Sequence, residues 1–213
     1  MAMAVVADGR GGREFPPADR PPAEPVHLAD GSVLFLRDLA ASDEARLRRF
    51  YLGLSPTTLY RRFMTPVPRL PERTLAYLCC AGGPDRGIVV ATHGDDIVAE
   101  GRFHRLAGTD HAEVAVVVAD AWQGRGIGRA LSARLRRMAL RAGVAAFSGA
   151  MLADNRAARA LLASTTPHAE WRIRYGEVEF AAQLLQDAVP ALRPHRRASA
   201  TPSGTRLPAR VAG

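Results

Sequence analysis

Gln123-Gly124-Arg125-Gly126-Ile127-Gly128 is the stretch of this sequence whose residue types could do chemistry with the least help from elsewhere. It follows a valine-rich run, Val114 to Val118, and precedes Ile127, Leu131, Leu135 and Met138. Those four recur at i, i+4, i+8 and i+11, the spacing of one helix face. Glycines between a strand and a helix N-terminus leave backbone amides free to converge on an anion, and the helix dipole adds to the attraction. Gly124, Gly126 and Gly128 let the backbone come close, while Arg125 and Arg129 add positive charge beside it. The guest that suits this arrangement is a pyrophosphate.

The usual nucleotide readings fail. Gly-Arg-Gly-Ile-Gly is not G-x-G-x-x-G, and no Lys follows the glycines as a phosphate-binding P-loop requires. The phosphate must arrive on another kind of carrier.

The elements that would hold this loop can be read along the chain. Val33 to Arg37 predicts a strand after the turn Asp30-Gly31, and Ser42 to about Leu52 a helix capped by Ser42 or Asp43. Ser55-Pro56 starts a second helix through Leu59, Tyr60 and Phe63; Pro71-Glu72 starts a third through Leu75 and Leu78, stopped by Gly82-Gly83-Pro84. Ile88 to Thr92, Ile97 to Leu106 and Ala112 to Ala119 predict three strands with turn-like links, Gly94-Asp95-Asp96 and Gly108-Thr109-Asp110, hence an antiparallel meander. The helix after the glycine loop stops at Gly143. Then come a strand from Ala145 to Leu152, a helix capped by Asp154 or Asn155 that runs to about Ser164, and one or two closing strands around Gly176.

In that setting, Val116-Val117-Val118-Ala119-Asp120-Ala121-Trp122-Gln123 through Ala130 resembles the acetyl-CoA signature Q/R-x-x-G-x-G/A of the GCN5-related N-acetyltransferases. The resemblance spans roughly residues 30 to 185. It implies the GNAT fold, an α/β (α+β) domain with a mixed, mostly antiparallel sheet of six to seven strands and flanking helices. The sheet would splay between the strands at 112–119 and 145–152, with the pantetheine arm in the gap. Acetyl-CoA is then the cosubstrate, and no metal is expected. Backbone groups along Val116, Val117 and Val118 would hold the arm, and an amide there would polarise the thioester carbonyl. Gln123, Gly124, Arg125, Gly126, Ile127, Gly128 and Arg129 would hold the pyrophosphate. Asn155 stands where the family often has an Asn touching the cofactor, although a plain helix N-cap accounts for it equally well. Many members carry a Tyr acid several residues later; this chain has Ala157, Ala158, Ala160, Leu161 and Leu162 there, which leaves the acid unassigned.

An amine reaches such a site protonated and must lose a proton before it can attack. Glu113 is the chosen base: it shares the strand of the valines, where an acid amid apolar residues would have a raised pKa, against the alternative of an exposed strand-end residue. His104 and His111 are the runners-up, acting alone or as a relay. Leu54-Ser55-Pro56, Tyr60, Arg62-Phe63, Ala112-Glu113 and Trp122 to Gly126 are together similar to the bacterial Pat-type protein-lysine acetyltransferases, whose catalytic glutamate matches Glu113 and which also lack the tyrosine. That branch acetylates a lysine of acyl-CoA synthetases, so a protein acceptor of this kind is expected, with a small amine or a noncatalytic CoA-sensing module as alternatives. Tyr60, Arg61, Arg62 and Phe63 would shape the acceptor cleft, or else be core and solvated residues.

Composition sets the outer limits. The 213 residues suit one α/β domain, here 26–189, between a Gly/Pro-rich leader at 1–25 and an Arg/Pro/Ala-rich tail at 190–213, both expected to be flexible. The net charge is +8, and all 29 basic residues are Arg, a bias that accompanies the abundant Ala, Gly and Pro. An enzyme that modifies lysine would also gain from having none of its own. The tail is short and lacks interleaved aromatics, which argues against nucleic acid as a partner. No apolar run is long enough to cross a bilayer and the first residues do not read as a secretory signal, so the expected location is the cytoplasm. Adjacent Cys79 and Cys80 offer neither metal-ligand spacing nor a plausible disulfide and read as buried helix residues.

Overall fold

A computed structural model describes residues 22–67, 69–79, 83 and 85–184. Cys80, Gly82, Pro84, the Arg-rich tail and most of the leader lie outside the described residues.

The chain opens on a hairpin, β1 (Glu24–His27) with β2 (Val33–Asp38), followed by three helices, α1 (Glu44–Leu52), α2 (Pro56–Phe63) and α3 (Glu72–Cys79). The meander is β3 (Arg86–His93), β4 (Asp96–Arg105) and β5 (His111–Val118); then come α4 (Ile127–Arg141), β6 (Ala146–Leu152), α5 (Arg156–Thr165), β7 (Glu170–Arg174) and β8 (Glu177–Gln183). One sheet contains all eight strands in the order β1-β2-β3-β4-β5-β6-β8-β7. Every pairing is antiparallel except β5 with β6. The strand beyond the expected six to seven is β1, which is short and interrupted by Pro25, so it carries no alternation that a sequence pattern could register. Both closing strands form, joined by Tyr175-Gly176 with φ of 50° and 82°, the two positive values of a type I′ turn.

Helix α4 covers one face of the sheet. Ile127, Leu131, Leu135 and Ala139 are fully buried against Val89, Ala91, Ala99 and Phe103, and burying each large side chain contributes about 1.5–3 kcal/mol. The contact is close because Gly101 has no side chain; a Cβ there would lie 2.6 Å from Leu135 Cδ1. The opposite face packs α1, α2 and α3 through Leu47, Tyr51, Leu59, Leu75 and Leu78 onto Val90, Ile97 and Val117. Cys79 is buried at the end of α3.

Two helix starts differ in kind. Ser55 caps α2 as its sequence predicts, accepting from the Thr58 amide, with Pro56 in the first turn. Neither Ser42 nor Asp43 caps α1 with its side chain. Ala41–Asp43 instead form a 3-10 turn, and the buried Asp43 carboxylate takes both Arg37 Nη groups and the Ala40 amide. Burial alone would raise the Asp43 pKa, but Arg37 and the Ala40 amide outweigh it and hold the group below its ordinary value.

Candidate functional site

The parallel ladder between β5 and β6 has three rungs, His111–Ala146, Ala112–Phe147 and Glu113–Ser148, and then stops. β5 meanwhile stays paired with β4 as far as Val118. The amide of Ala119 donates to Val98 O, and His111 O accepts from Leu106 N, both on the β4 side. Alternation along a strand therefore gives the odd-numbered residues of β5 to β4 and turns the backbone of Val116 and Val118 toward the side from which β6 has departed. Of the three valines, Val117 does not face this gap, because its backbone serves the β4 ladder and its side chain is buried among α1, α2 and α3.

The glycine loop closes the open end of the gap. Gly124 and Gly126 have φ of 76° and 84°, and a Cβ on either would meet nothing within 4 Å, so both are required by the backbone and both look onto open space. Gly128 has another reason: a Cβ there would press Leu161 Cδ2 of α5 at 3.2 Å. Its smallness lets two helices meet rather than admitting an anion. Among the described residues none accepts a hydrogen bond from the amides of Gly124, Arg125, Gly126, Ile127 or Gly128, and the first turn of α4 contains no acid. Five unpartnered amides at the positive end of a 15-residue helix are donors available to an anion.

Side chains fix the loop from three directions. Asp120 accepts from the Ser55 amide at 3.0 Å, the Ser55 hydroxyl at 2.6 Å and the Thr58 hydroxyl at 2.7 Å. Gln123 Nε2 donates to Thr58 Oγ1 at 3.1 Å and to Val118 O at 3.0 Å, so its amide nitrogen is committed to the loop. Burial alone would raise the Asp120 pKa, yet the bonds from Ser55 and Thr58 outweigh it and lower the pKa. Arg125 is not free beside the amides as its position in sequence suggests: it pairs with Asp30 at 2.8 Å in the β1–β2 turn and lies over the Trp122 ring. His93 packs against the same Trp122 ring. Arg129, exposed in the first turn of α4, has no ion-pair partner among the described residues and is left to carry the positive charge. Asn155 is the N-cap of α5, its Oδ1 accepting from the Ala158 amide at 3.1 Å; its amide nitrogen donates to no described residue.

Glu113 occupies the last rung before the sheet opens. The expected apolar enclosure does not occur; the residue is exposed, because its face of β5 is left uncovered toward the start of the strand while Val117, four residues on, lies under α2. In register, Arg86, His104, Glu113 and Ser148 form one row across β3, β4, β5 and β6, and directly opposed residues project to the same face, so His104 is the cross-strand neighbour of Glu113. His111, the other candidate, has Nε2 at 3.5 Å from Asp110. Phe63 packs on the core near Tyr51, with Arg62 over its ring, whereas Tyr60 and Arg61 are exposed.

A buried polar cluster that the sequence reading passed over lies on the same face. Glu100 is fully buried and accepts from Tyr51 Oη at 2.7 Å and from Arg102 Nε at 2.6 Å, while Arg102 Nη2 donates to Leu78 O at 2.8 Å. The available signal was an acid and an Arg two apart, hence on one face, directly after the apolar run Ile97-Val98-Ala99. Among the described residues no group of His, Cys, Asp and Glu is arranged to hold a metal, and no helix is long and apolar enough to cross a membrane.

Comparison with known proteins places this geometry. Residues 54–164 match the acetyltransferase (GNAT) family. Acetyltransferase Pat of Mycolicibacterium smegmatis is 36% identical over 142 residues, covering 65% of this chain and 42% of that protein, so this chain spans less than half of that relative. The structure of the GNAT domain of S. lividans PAT superposes with a TM-score of 0.69 at 28% identity, covering 80% of this chain and 99% of that one. A cAMP-binding acyltransferase from Mycobacterium smegmatis gives 0.55 at 31% identity, over 81% of this chain and 50% of that one.

Proposed function

The chain belongs to the acetyltransferase (GNAT) family, and from that premise we propose that it is an acetyl-CoA-dependent N-acetyltransferase which modifies a lysine of a partner protein, with Glu113 as the general base. The observation that carries the reading is the coincidence along β5 of three features: a row of unpartnered amides at the start of α4, an open backbone edge at Val116 and the Val118 amide, and a carboxylate at the vertex of the splay.

Acetyl-CoA supplies the acetyl group as an activated thioester. The amides from Gly124 to Gly128 suit its pyrophosphate, with Arg129 beside them. The Val116 and Val118 edge suits its amide-bearing arm, and a backbone N–H there polarises the carbonyl under attack. Glu113 takes the proton from the incoming ammonium group, which turns a cation into a nucleophile; as its C–N bond forms the thioester C–S bond breaks, and the proton the nitrogen sheds on acylation leaves with the CoA thiol. Its exposure leaves it open to a side chain delivered from outside, and a lysine ammonium is drawn to a carboxylate that has no ion-pair partner among the described residues. Similarity to a Pat protein supports a protein acceptor, and an acyl-CoA synthetase is the acceptor we propose.

The test is titration calorimetry of the full chain with acetyl-CoA, followed by thiol release with an acyl-CoA synthetase and with a panel of small amines. Saturable binding with turnover on the protein alone is expected. Turnover on an amine alone would transfer the reading to small-molecule acetylation, and absence of acetyl-CoA binding would overturn the site.

A further inference from the structure

The two edges of the sheet are finished differently. At one edge, β1 contains Pro25, and Glu24 is tied to Arg134 at 2.8 Å and Arg137 at 2.6 Å, devices that blunt strand addition. At the other, all five residues of β7 are exposed, none is Pro, and among the described residues nothing pairs with the outer side. Trp171 is 44% exposed and Ile173 67%. An open edge bearing large apolar side chains is a template for another strand.

The sequence of β7 is complementary to itself. In an antiparallel pairing centred on Arg172, Glu170 of one copy stands opposite Arg174 of the other, and Trp171 opposite Ile173, each twice by symmetry. Within one chain Trp171 already faces Phe180, and Ile173 faces Val178. Each apolar rung then runs Phe180, Trp171, Ile173, Val178 across both copies. On the other face, Arg174 sits between its own Glu177 and the second copy's Glu170. The Arg172 pair on the axis is the one like-charged contact, and each member is flanked by Glu179 of its own chain. Shifting the register by two to centre on Ile173 would oppose Arg172 to Arg174, and centring on Trp171 would leave only three rungs within the strand, so charge and strand length together select the Arg172 centre.

We propose that β7 is a homodimer interface through which two copies join their sheets edge to edge about a two-fold axis at Arg172. The axis is perpendicular to the sheet, so the Glu113 faces of both copies lie on the same side of one continuous sheet. Five rungs bury less than the roughly 1,200 Å² of a standard stable interface, so the dimer is weak and reversible.

Sedimentation equilibrium of the full chain across the micromolar range should show a concentration-dependent monomer–dimer transition. Glu170→Arg and Arg174→Glu each place like charges on two rungs and should weaken dimerisation about tenfold or more. An equimolar mixture of the two variants restores opposite charges on both rungs and should dimerise about as well as the wild type. Arg172→Thr removes the repulsive centre and should tighten the dimer. A wild-type chain that is monomeric throughout, or a mixture that dimerises no better than either variant alone, would overturn the proposal. Should either reversal fail to fold, the Arg172→Thr chain still decides it, since unchanged or weaker association contradicts this register.

Discussion

Glu113 and Ser148 share the last rung between β5 and β6, and past them the two strands part. A carboxylate there stands at the vertex of the opening while contributing nothing to the glycine loop. Glu113→Gln should therefore keep acetyl-CoA affinity in titration calorimetry while lowering kcat by about 10²–10⁴, the range for a lost general base. Wild-type turnover in that variant would remove Glu113 from the mechanism.

Gly126 is the N-cap of α4 with φ of 84°, and a side chain there would enter open space beside the free amides. Gly126→Ala should cost about 1–2 kcal/mol through backbone strain alone. Gly126→Glu adds a negative charge at the helix N-terminus and should lower acetyl-CoA affinity well beyond the Ala variant, about a hundredfold or more against wild type. Equal affinities for the Ala and Glu variants would show that no anion binds at this terminus.

Asp120 and Asp43 both have pKa values held below the ordinary 3.8 in the folded chain. A carboxylate depressed in this way contributes stability that is fully present above 3.8 and is lost as pH falls through the folded value. The melting temperature should accordingly drop on acidification below about pH 4. Asp120→Asn should start lower near neutrality and show a shallower acid decline, because one of the contributing titrations is gone. A parallel decline in both proteins would mean that the bonds to Ser55 and Thr58 have no net effect on folding.

What could be read from sequence alone was whatever is encoded locally. The Ser55-Pro56 start of α2, the α4 face and the Gly124 and Gly126 backbone all follow from neighbouring residue types. Part of what was missed depends on residues far apart in sequence. Asp120 meets Ser55 across 65 positions, and Arg125 meets Asp30 across 95, so no local pattern reveals that the loop is pinned and its arginine occupied. Asp43 read as a cap because its type and position fit one, yet Arg37 on the neighbouring strand offered a charged partner, and charge-assisted bonds in a buried site are stronger than a cap. Glu113 read as enclosed because its sequence neighbours are apolar, but alternation sends those neighbours to both faces, and its own face is uncovered at that end.

Tyr51 ties α1 to β4 through Glu100, and the cluster allows its charge balance to be tested. Burial first, and the Glu100 charge second, push the Tyr51 pKa well up, so the phenol stays neutral and remains the donor. Tyr51→Phe removes one hydrogen bond to a charged acceptor and should cost about 1.5–3 kcal/mol in urea unfolding. Glu100→Leu should cost more, about 3–5 kcal/mol, because it leaves the Arg102 guanidinium, 13% exposed, without its counter-charge. Adding Arg102→Leu to Glu100→Leu should recover part of that loss, since the stranded charge is gone. If Glu100→Leu proved no more damaging than Tyr51→Phe, the ionic half of the cluster would contribute nothing that the phenol bond does not.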